Sequence, residues 1–449
     1  MRASWLWGLA PIVSVACFSG ASVPVASAAA VSVAEAPAQS YSANGDPRLG
    51  GLLEEALERH PALDESLARY RSALQRIPQA TALPEPMFEI NPGPRMAETR
   101  VGPQMLMMGI SQEFPWFGKL AEKGQVAAKE AEMERQTRET VRAEIIQQVK
   151  LAYFDLAFID RAIAIALQDE QLLGHFETLA RARYSQGTGL QQGVLKLQTE
   201  LTRVQNRLQE LRLRRVDAEA ALNTLLDRAP ETPIPPVELA LLLADATDLE
   251  GLYVKGRQNR PELHAAFLDI EKNEKRIDVA RKDYWPDITL EANYINVAKR
   301  MDPAGMMAPP PDDGKDIYNF SVGIKLPVRR RKYNAAVLEA TEDFLASREG
   351  YRNAVNTVEA SIRSASFRLK TLREQISLFE RVLLPQANQS LRSAEAAYST
   401  GSIPVLELLD SERTLLEVRL SLAQFQTDYM KALAEMERAI GSAFPEVTP

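Results

Sequence analysis

Thiol and imidazole chemistry have almost no material in this sequence. One cysteine, Cys17, and three histidines, His60, His175 and His264, are spread over 449 residues. None of the histidines has a second candidate ligand near it, so no metal centre and no cofactor is expected. There is no glycine-rich phosphate loop and no nucleophile elbow, which leaves an enzyme reading with little beyond paired carboxylates. Basic charge is not in excess: 53 Lys and Arg against 60 Asp and Glu give a net charge of −7, which argues against a nucleic-acid partner. Beyond the N-terminus no run reaches the roughly 18 to 20 apolar residues of a membrane-spanning helix. What is present, 45% apolar and 25% charged residues, is ordinary for a folded chain and excludes wholesale disorder.

The N-terminus has Arg2, an apolar run from Trp5 to Phe18 and a small-x-small site at Ala26-Ser27-Ala28. That is the layout of a secretory signal, expected over 1–28. Cys17 is either removed with it or is a lipidation site; the residues leave both open. A flexible leader over 29–48 follows, rich in Ala, Ser and Pro. Leu49 to Ile77 reads as an amphipathic helix interrupted at His60-Pro61, and the proline-rich stretch from Pro78 to Pro94 ends it.

Two patterns then alternate. Tyr318, Phe320, Val322, Ile324 and Leu326 recur at every second position with Asn319, Ser321, Gly323 and Lys325 between them. That is a strand with one apolar and one polar face. Ile288, Leu290, Ala292 and Tyr294 form a similar strand, and two earlier candidates lie at Met87–Asn91 and Gln104–Phe114. The other pattern is helical. From Gly118 to Ser185 there is no proline, and Ile145, Val149, Ala152, Leu156, Ile159, Ile163 and Ala166 step alternately by four and three, the spacing of a coiled-coil seam. Gly187-Thr188-Gly189 forces a turn. The return helix repeats the seam with Leu197, Leu201, Val204, Leu208 and Leu211, then Ala218, Leu222 and Leu225, with Arg215 interrupting the seam.

The chain then repeats. Asn259-Arg260-Pro261-Glu262-Leu263 echoes Arg59-His60-Pro61-Ala62-Leu63, and Ala396-Ala397-Tyr398-Ser399-Thr400-Gly401 echoes Ala182-Arg183-Tyr184-Ser185-Gln186-Gly187. The expected organisation is a duplication. A first repeat spans 49–248, with strands at about 86–114 and a helical hairpin at about 118–228. A second spans 249–441, with strands at about 286–327 and a hairpin at about 332–440, and a tail covers 442–449. The fold class is mainly α with a membrane β-barrel contribution, each repeat reading helix, two strands, long coiled-coil hairpin.

Four two-faced strands cannot close a barrel, and an open edge is not tolerated in lipid. Either the strands form a soluble sandwich or several chains share one barrel. Trp116, Phe117, Tyr284 and Trp285 stand at strand–helix junctions, where an interfacial aromatic girdle would lie and where Arg329 to Lys332 could meet anionic lipid.

These residues resemble the TolC-type outer-membrane efflux proteins. The carriers are the two His/Arg-Pro helix starts, the junction Gln112-Glu113-Phe114-Pro115-Trp116-Phe117-Gly118-Lys119, the two Tyr-Ser-x-Gly tips and Leu409-Asp410-Ser411-Glu412-Arg413. The resemblance covers nearly all of the chain after the signal. It implies a homotrimer in the outer membrane of a Gram-negative bacterium, with a shared twelve-stranded barrel and a periplasmic α-helical tunnel. It further implies a periplasmic adaptor and an inner-membrane pump as partners. Within the family, the Pro-Trp-Phe-Gly-Lys junction is most similar to heavy-metal efflux subunits of the CzcC and CusC kind.

The resemblance also implies site residues. Gly187, Thr188, Gly189, Gly401 and Ser402 would form adaptor-contacting periplasmic tips, although each could equally be a plain turn. Glu407 and Asp410, three apart on one helix face, match acidic positions that ring the narrowest point; a solvated helix face is the plainer alternative. Ile403 and Pro404 stand where some relatives have a polar residue beside the ring, so a latch there is not expected. Met301, Met306 and Met307, with Met105, Met107 and Met108, suggest either a soft-metal contact or gap-filling in an external loop. Two readings outside metal export stay open: a conduit for drugs or proteins, and a periplasmic coiled-coil scaffold with no channel.

Overall fold

The computed structural model describes residues 46–92, 98–243 and 248–443. The signal, most of the leader, Cys17 and the tail from 444 lie outside the described residues. The first helix, α1 (Pro47–Arg59), begins at the end of the expected leader. Its N-cap Asp46 accepts the Arg48 amide at 2.9 Å and the Tyr153 hydroxyl. Pro61 opens α2 (Pro61–Thr81), with His60 Nδ1 accepting the Ala62 amide at 3.2 Å. The helix was expected to stop at Ile77, but it runs through Pro78. Pro78 has no amide to give the ladder, yet the helix goes on to Thr81 and the Pro78 carbonyl accepts from the Ala82 amide at 3.0 Å.

Strands β1 (Met87–Pro92), β2 (Glu98–Thr99) and β3 (Gly102–Phe114) lead into α3 (Lys119–Ser185), one helix of 67 residues. At 1.5 Å per residue it is about 100 Å long. After the glycine turn, α4 (Gln191–Leu225) returns along it. Arg215 stands within α4, as a charge in its seam. It donates to Asp160 of α3 at 2.6 Å, to Glu219 one turn on at 2.5 Å and to the Ile234 carbonyl at 2.8 Å. A charge in the seam is tolerated because every side of the guanidinium meets an acceptor, and it fastens the crossing segment to both helices.

The second half follows the same plan with α5 (Leu249–Asn259), α6 (Pro261–Lys282), β4 (Asp287–Val297), a short α7 (Pro303–Met307) and β5 (Ile317–Lys325). Its hairpin is α8 (Arg330–Leu378), α9 (Leu384–Thr400) and α10 (Val405–Ile440). A π-helical turn at Phe379–Leu383 separates α8 from α9. In that turn the Leu384 amide reaches back five residues to the Phe379 carbonyl, next to Pro385, which has no amide to offer the regular ladder.

The main sheet is antiparallel in the order β1-β3-β4-β5, with Phe88 opposite Ile110, Ala292 opposite both Ile110 and Phe320, and β2 pairing only with β3. Among the described residues β1 and β5 each keep one unpaired edge. Met87, Phe88 and Ile90 of β1 are exposed, and Tyr318, Phe320, Val322 and Ile324 of β5 are 58–80% exposed. Both faces of β1 and β5 are open, so the apolar face of the alternating pattern is left uncovered by the rest of the described chain. The core lies instead between the helices, in two clusters. One is built on α1, α3, α5, α8 and α10 around Leu49, Leu156, Ile362, Tyr429 and Met436; the other lies toward the tips around Phe176, Leu197 and Leu408. No described helix is long and apolar enough to cross a membrane.

Candidate functional site: the hairpin tips and the strand–helix junction

At the first tip Gly187 has φ +76°, and the amides of Thr188 and Gly189 both donate to the Arg183 carbonyl at 3.0 Å. At the second, Gly401 has φ +85° and the Ser402 amide donates to the Ala397 carbonyl at 2.9 Å. These left-handed positions close each helix end in the way glycine permits. The structure joins the two tips through Arg183. Its guanidinium lies 4.9 Å from the centroid of the Tyr398 ring, donates to the Tyr398 carbonyl and reaches the Thr188 carbonyl at 3.3 Å. A cation at the C-terminal end of α9 also meets the negative end of that helix dipole. A Cβ on Gly401 would stand 2.7 Å from the same guanidinium. Burial raises the Tyr398 phenol above its ordinary range, although Arg183 opposes this. Thr188, Gly189, Gly401 and Ser402 line one cavity of about 470 Å³ between the tips; Gly187 does not.

Glu407 and Asp410 lie in the first two turns of α10 and both are exposed, while Leu408 and Leu409 between them are buried. The helix therefore splits into a wet face with the two carboxylates and a packed face toward the other helices. Two residues further on, Glu412 is on the packed face. It is 3% exposed and faces Asp169 of α3, which is 6% exposed.

The four aromatic positions fall into two groups at the sheet's end. Trp116 and Trp285 are stacked at 5.0 Å with planes 9° apart, and Phe117 packs edge-on to Trp116. Tyr284 instead pairs with Tyr333 at 5.7 Å, and Arg330 lies 5.7 Å over the Tyr284 ring. Asp287 anchors the joint by accepting the Trp116 amide at 2.9 Å and Lys119 Nζ at 3.2 Å. Phe117 is 81% and Trp285 54% exposed, so the joint presents aromatic surface outward.

Reading by residue type misses Arg183, Tyr398, Asp169 and Glu412. The signal for the last two was in the seam: each carboxylate stands three or four residues from buried apolar neighbours, Ile165 and Leu173 for one, Leu409 and Leu415 for the other. No group of three or more His, Cys, Asp or Glu side chains suited to a metal occurs among the described residues. Met301, Met306 and Met307 are 65–87% exposed.

The chain matches the family described as outer membrane efflux protein over residues 52–228 and 252–442. It is 23% identical over 424 residues to the solvent efflux pump outer membrane protein SrpC of Pseudomonas putida, covering 89% of this chain and 86% of that one. It is 21% identical over 379 residues to the cobalt-zinc-cadmium resistance protein CzcC of Cupriavidus metallidurans, covering 81% and 83%. The solved outer membrane protein VceC of Vibrio cholerae superposes with a TM-score of 0.74 at 20% identity, over 90% of this chain and all of that one. Duplicated hairpins, a sheet with an uncovered apolar face and a family match over both repeats converge on one assignment: the chain belongs to the TolC-type outer membrane efflux protein family and is an outer-membrane efflux channel protein.

Proposed function

We propose that three copies of this chain close a twelve-stranded barrel in the outer membrane and a helical tunnel below it, forming the passive exit duct of a tripartite pump. The observation that carries this is the pair of unpaired edges on β1 and β5 beside an uncovered apolar face. Neither edge is tolerable in hydrocarbon unless a neighbouring copy pairs with it. The stacked Trp116 and Trp285, with Phe117 and Tyr284, suit the headgroup level. At the other end, the tip cavity and the exposed Leu190, Leu195 and Leu406 suit the helical hairpin of a periplasmic adaptor. Energy would come from an inner-membrane partner; the duct itself needs no bond chemistry.

For cargo, the reading is heavy-metal cations. Similarity to CzcC supports it, as do Glu407 and Asp410, which three copies would gather into a ring of negative charge that draws cations. A second reading, organic solvents or drugs, is supported by the similarity to SrpC over a larger share of the chain. A susceptibility panel on a strain lacking the protein decides between them, with copper, silver, zinc, cobalt and cadmium set beside solvents and hydrophobic drugs. Sensitivity confined to metals and restored by the intact chain is expected. Sensitivity to organic compounds alone would remove the metal reading, and a strain insensitive to every compound would remove export of both.

A further inference from the structure

One contact between the two hairpins is unlike the apolar packing around it. Asp169 of α3 and Glu412 of α10 meet inside the tip-side core, within hydrogen-bonding reach of one another. They border a cavity of about 310 Å³ shared with Leu173, Val204 and Leu416. Each keeps one buried oxygen, Oδ2 of Asp169 and Oε1 of Glu412, with no donor among the described residues. Ionised carboxylates only accept, so two of them at this separation bond only if one carries a proton.

The charged neighbours come from every helix packed on the pair. Arg207 of α4 and Arg419 of α10 act on Asp169, Arg413 of α10 acts on Glu412, and Glu200 of α4 acts on both. Glu200 is itself tied to Arg203 at 2.7 Å and to Arg413. Two arginines on Asp169 make it the better anion, which leaves Glu412 as the acid that donates. The guanidiniums also make the cavity a poor seat for a metal cation, so the species that fits between the carboxyls is a proton.

We infer that Asp169 and Glu412 hold a single proton between them, and that this proton clasps α10 to α3 while the tip is closed and leaves when the hairpins part. Burial, then the bond to Asp169 and its charge, push Glu412 from its ordinary 4.5 up to about 9, and burial raises Asp169 as well. Glu412 stands less than two turns beyond Glu407 and Asp410 on the same helix, so moving α10 off α3 moves the proposed ring with it. Parting admits water, Glu412 returns to the ordinary carboxyl range, and its proton passes to the periplasmic solvent. Opening thus releases one proton per copy, and linkage sets the sign: raising the pH favours the open form. Between about 4.5 and about 9 the open-to-closed ratio of each copy changes about tenfold per pH unit.

The inference rests on the duct reading and is tested on the full-length channel in planar lipid bilayers, titrated from about pH 5 to about pH 8. Open probability is expected to rise about tenfold per unit for each copy that must part, until it saturates. Glu412→Gln keeps a donor that does not titrate, and should stay shut with no slope. Should that variant not assemble, Asp169→Asn, which removes the anion, serves the same end. Infrared spectroscopy of the same protein at neutral pH should show the carbonyl band of a buried protonated carboxyl, absent from Glu412→Gln. A wild-type channel whose opening ignores pH, a Gln variant with the wild-type slope, or a missing band would each overturn the clasp. A chain that conducts at no pH would defeat the duct reading instead, and the infrared band would then decide the proton site alone.

Discussion

The two hairpins come from one repeated pattern and end up mechanically different. The first has α3, unbroken over 67 residues, with α4 clamped to it by Arg215. The second is divided by the π turn at Phe379–Leu383, where Phe379 packs edge-on to Phe425 of α10 at 4.9 Å. Their tips differ as well. Tyr184 is 48% exposed, whereas its counterpart Tyr398 is 7% exposed and lies under Arg183 from the other hairpin. On the clasp proposed above, the first repeat is the frame and the second, divided at its π turn, is the arm that parts from it. Duplication supplied two similar hairpins, and a few side chains made them differ.

If the first hairpin is the frame, the arm must be fixed firmly at its root. Lys150 of α3 and Glu437 of α10 form an ion pair there, both nearly fully buried. Glu437→Ala leaves the ammonium without that partner in the core, and a loss of about 3 to 5 kcal/mol is expected. Replacing both, Lys150→Met with Glu437→Leu, should recover most of it. Thermal unfolding followed by the helical signal measures the two variants. A single variant that melts with the wild type would mean that the root is held by something else.

The tips give a smaller and more local contrast. Tyr398→Ala empties a buried site and removes the surface on which Arg183 rests, for an expected cost of about 3 kcal/mol. Tyr184→Ala, at the matching place in the first repeat, should stay within about 0.5 kcal/mol. Hydrogen exchange at residues 394–403 against 180–189 reads both. Equal effects would erase the distinction between frame and arm at this end.

Much of this was legible beforehand because it rests on periodicity. The seam from Ile145 to Ala166 and the alternation from Tyr318 to Leu326 each state which solvent or neighbour a face meets, and the glycines at 187 and 401 mark where the helices stop. What stayed hidden depends on partners far away in sequence. Arg215 read only as a gap in the seam because its acceptors, Asp160 and the Ile234 carbonyl, belong to other segments. Pro78 read as a stop because nothing local shows that it falls in a final turn. The Asp169–Glu412 contact joins residues on helices from different repeats, so neither stripe alone could reveal it.

The repeats also differ at their first helices, and acid should show it. Where the first repeat has Ala62, the second has Glu262, bound by Arg438 of α10 and by Arg260 at 3.2 Å. Burial alone would raise this carboxyl, but the two arginines outweigh it and hold Glu262 at about 2, below its ordinary 4.5. A depressed carboxyl contributes stability that is present above its unfolded value and is lost as the pH falls through the folded one. The loss should therefore run from about pH 4.5 down to about pH 2, on the order of 2 kcal/mol after allowance for solvent screening. Glu412 has the opposite sign, weakening its own contact as the pH climbs. Acid should thus loosen α10 from α6 while leaving it held to α3, and alkali should do the reverse. Unfolding of wild type and Glu262→Gln, compared at neutral pH and near pH 3, tests the acid limb. Parallel losses in the two proteins would show that acid acts elsewhere, and the second repeat would then have no acid-sensitive anchor that the first lacks.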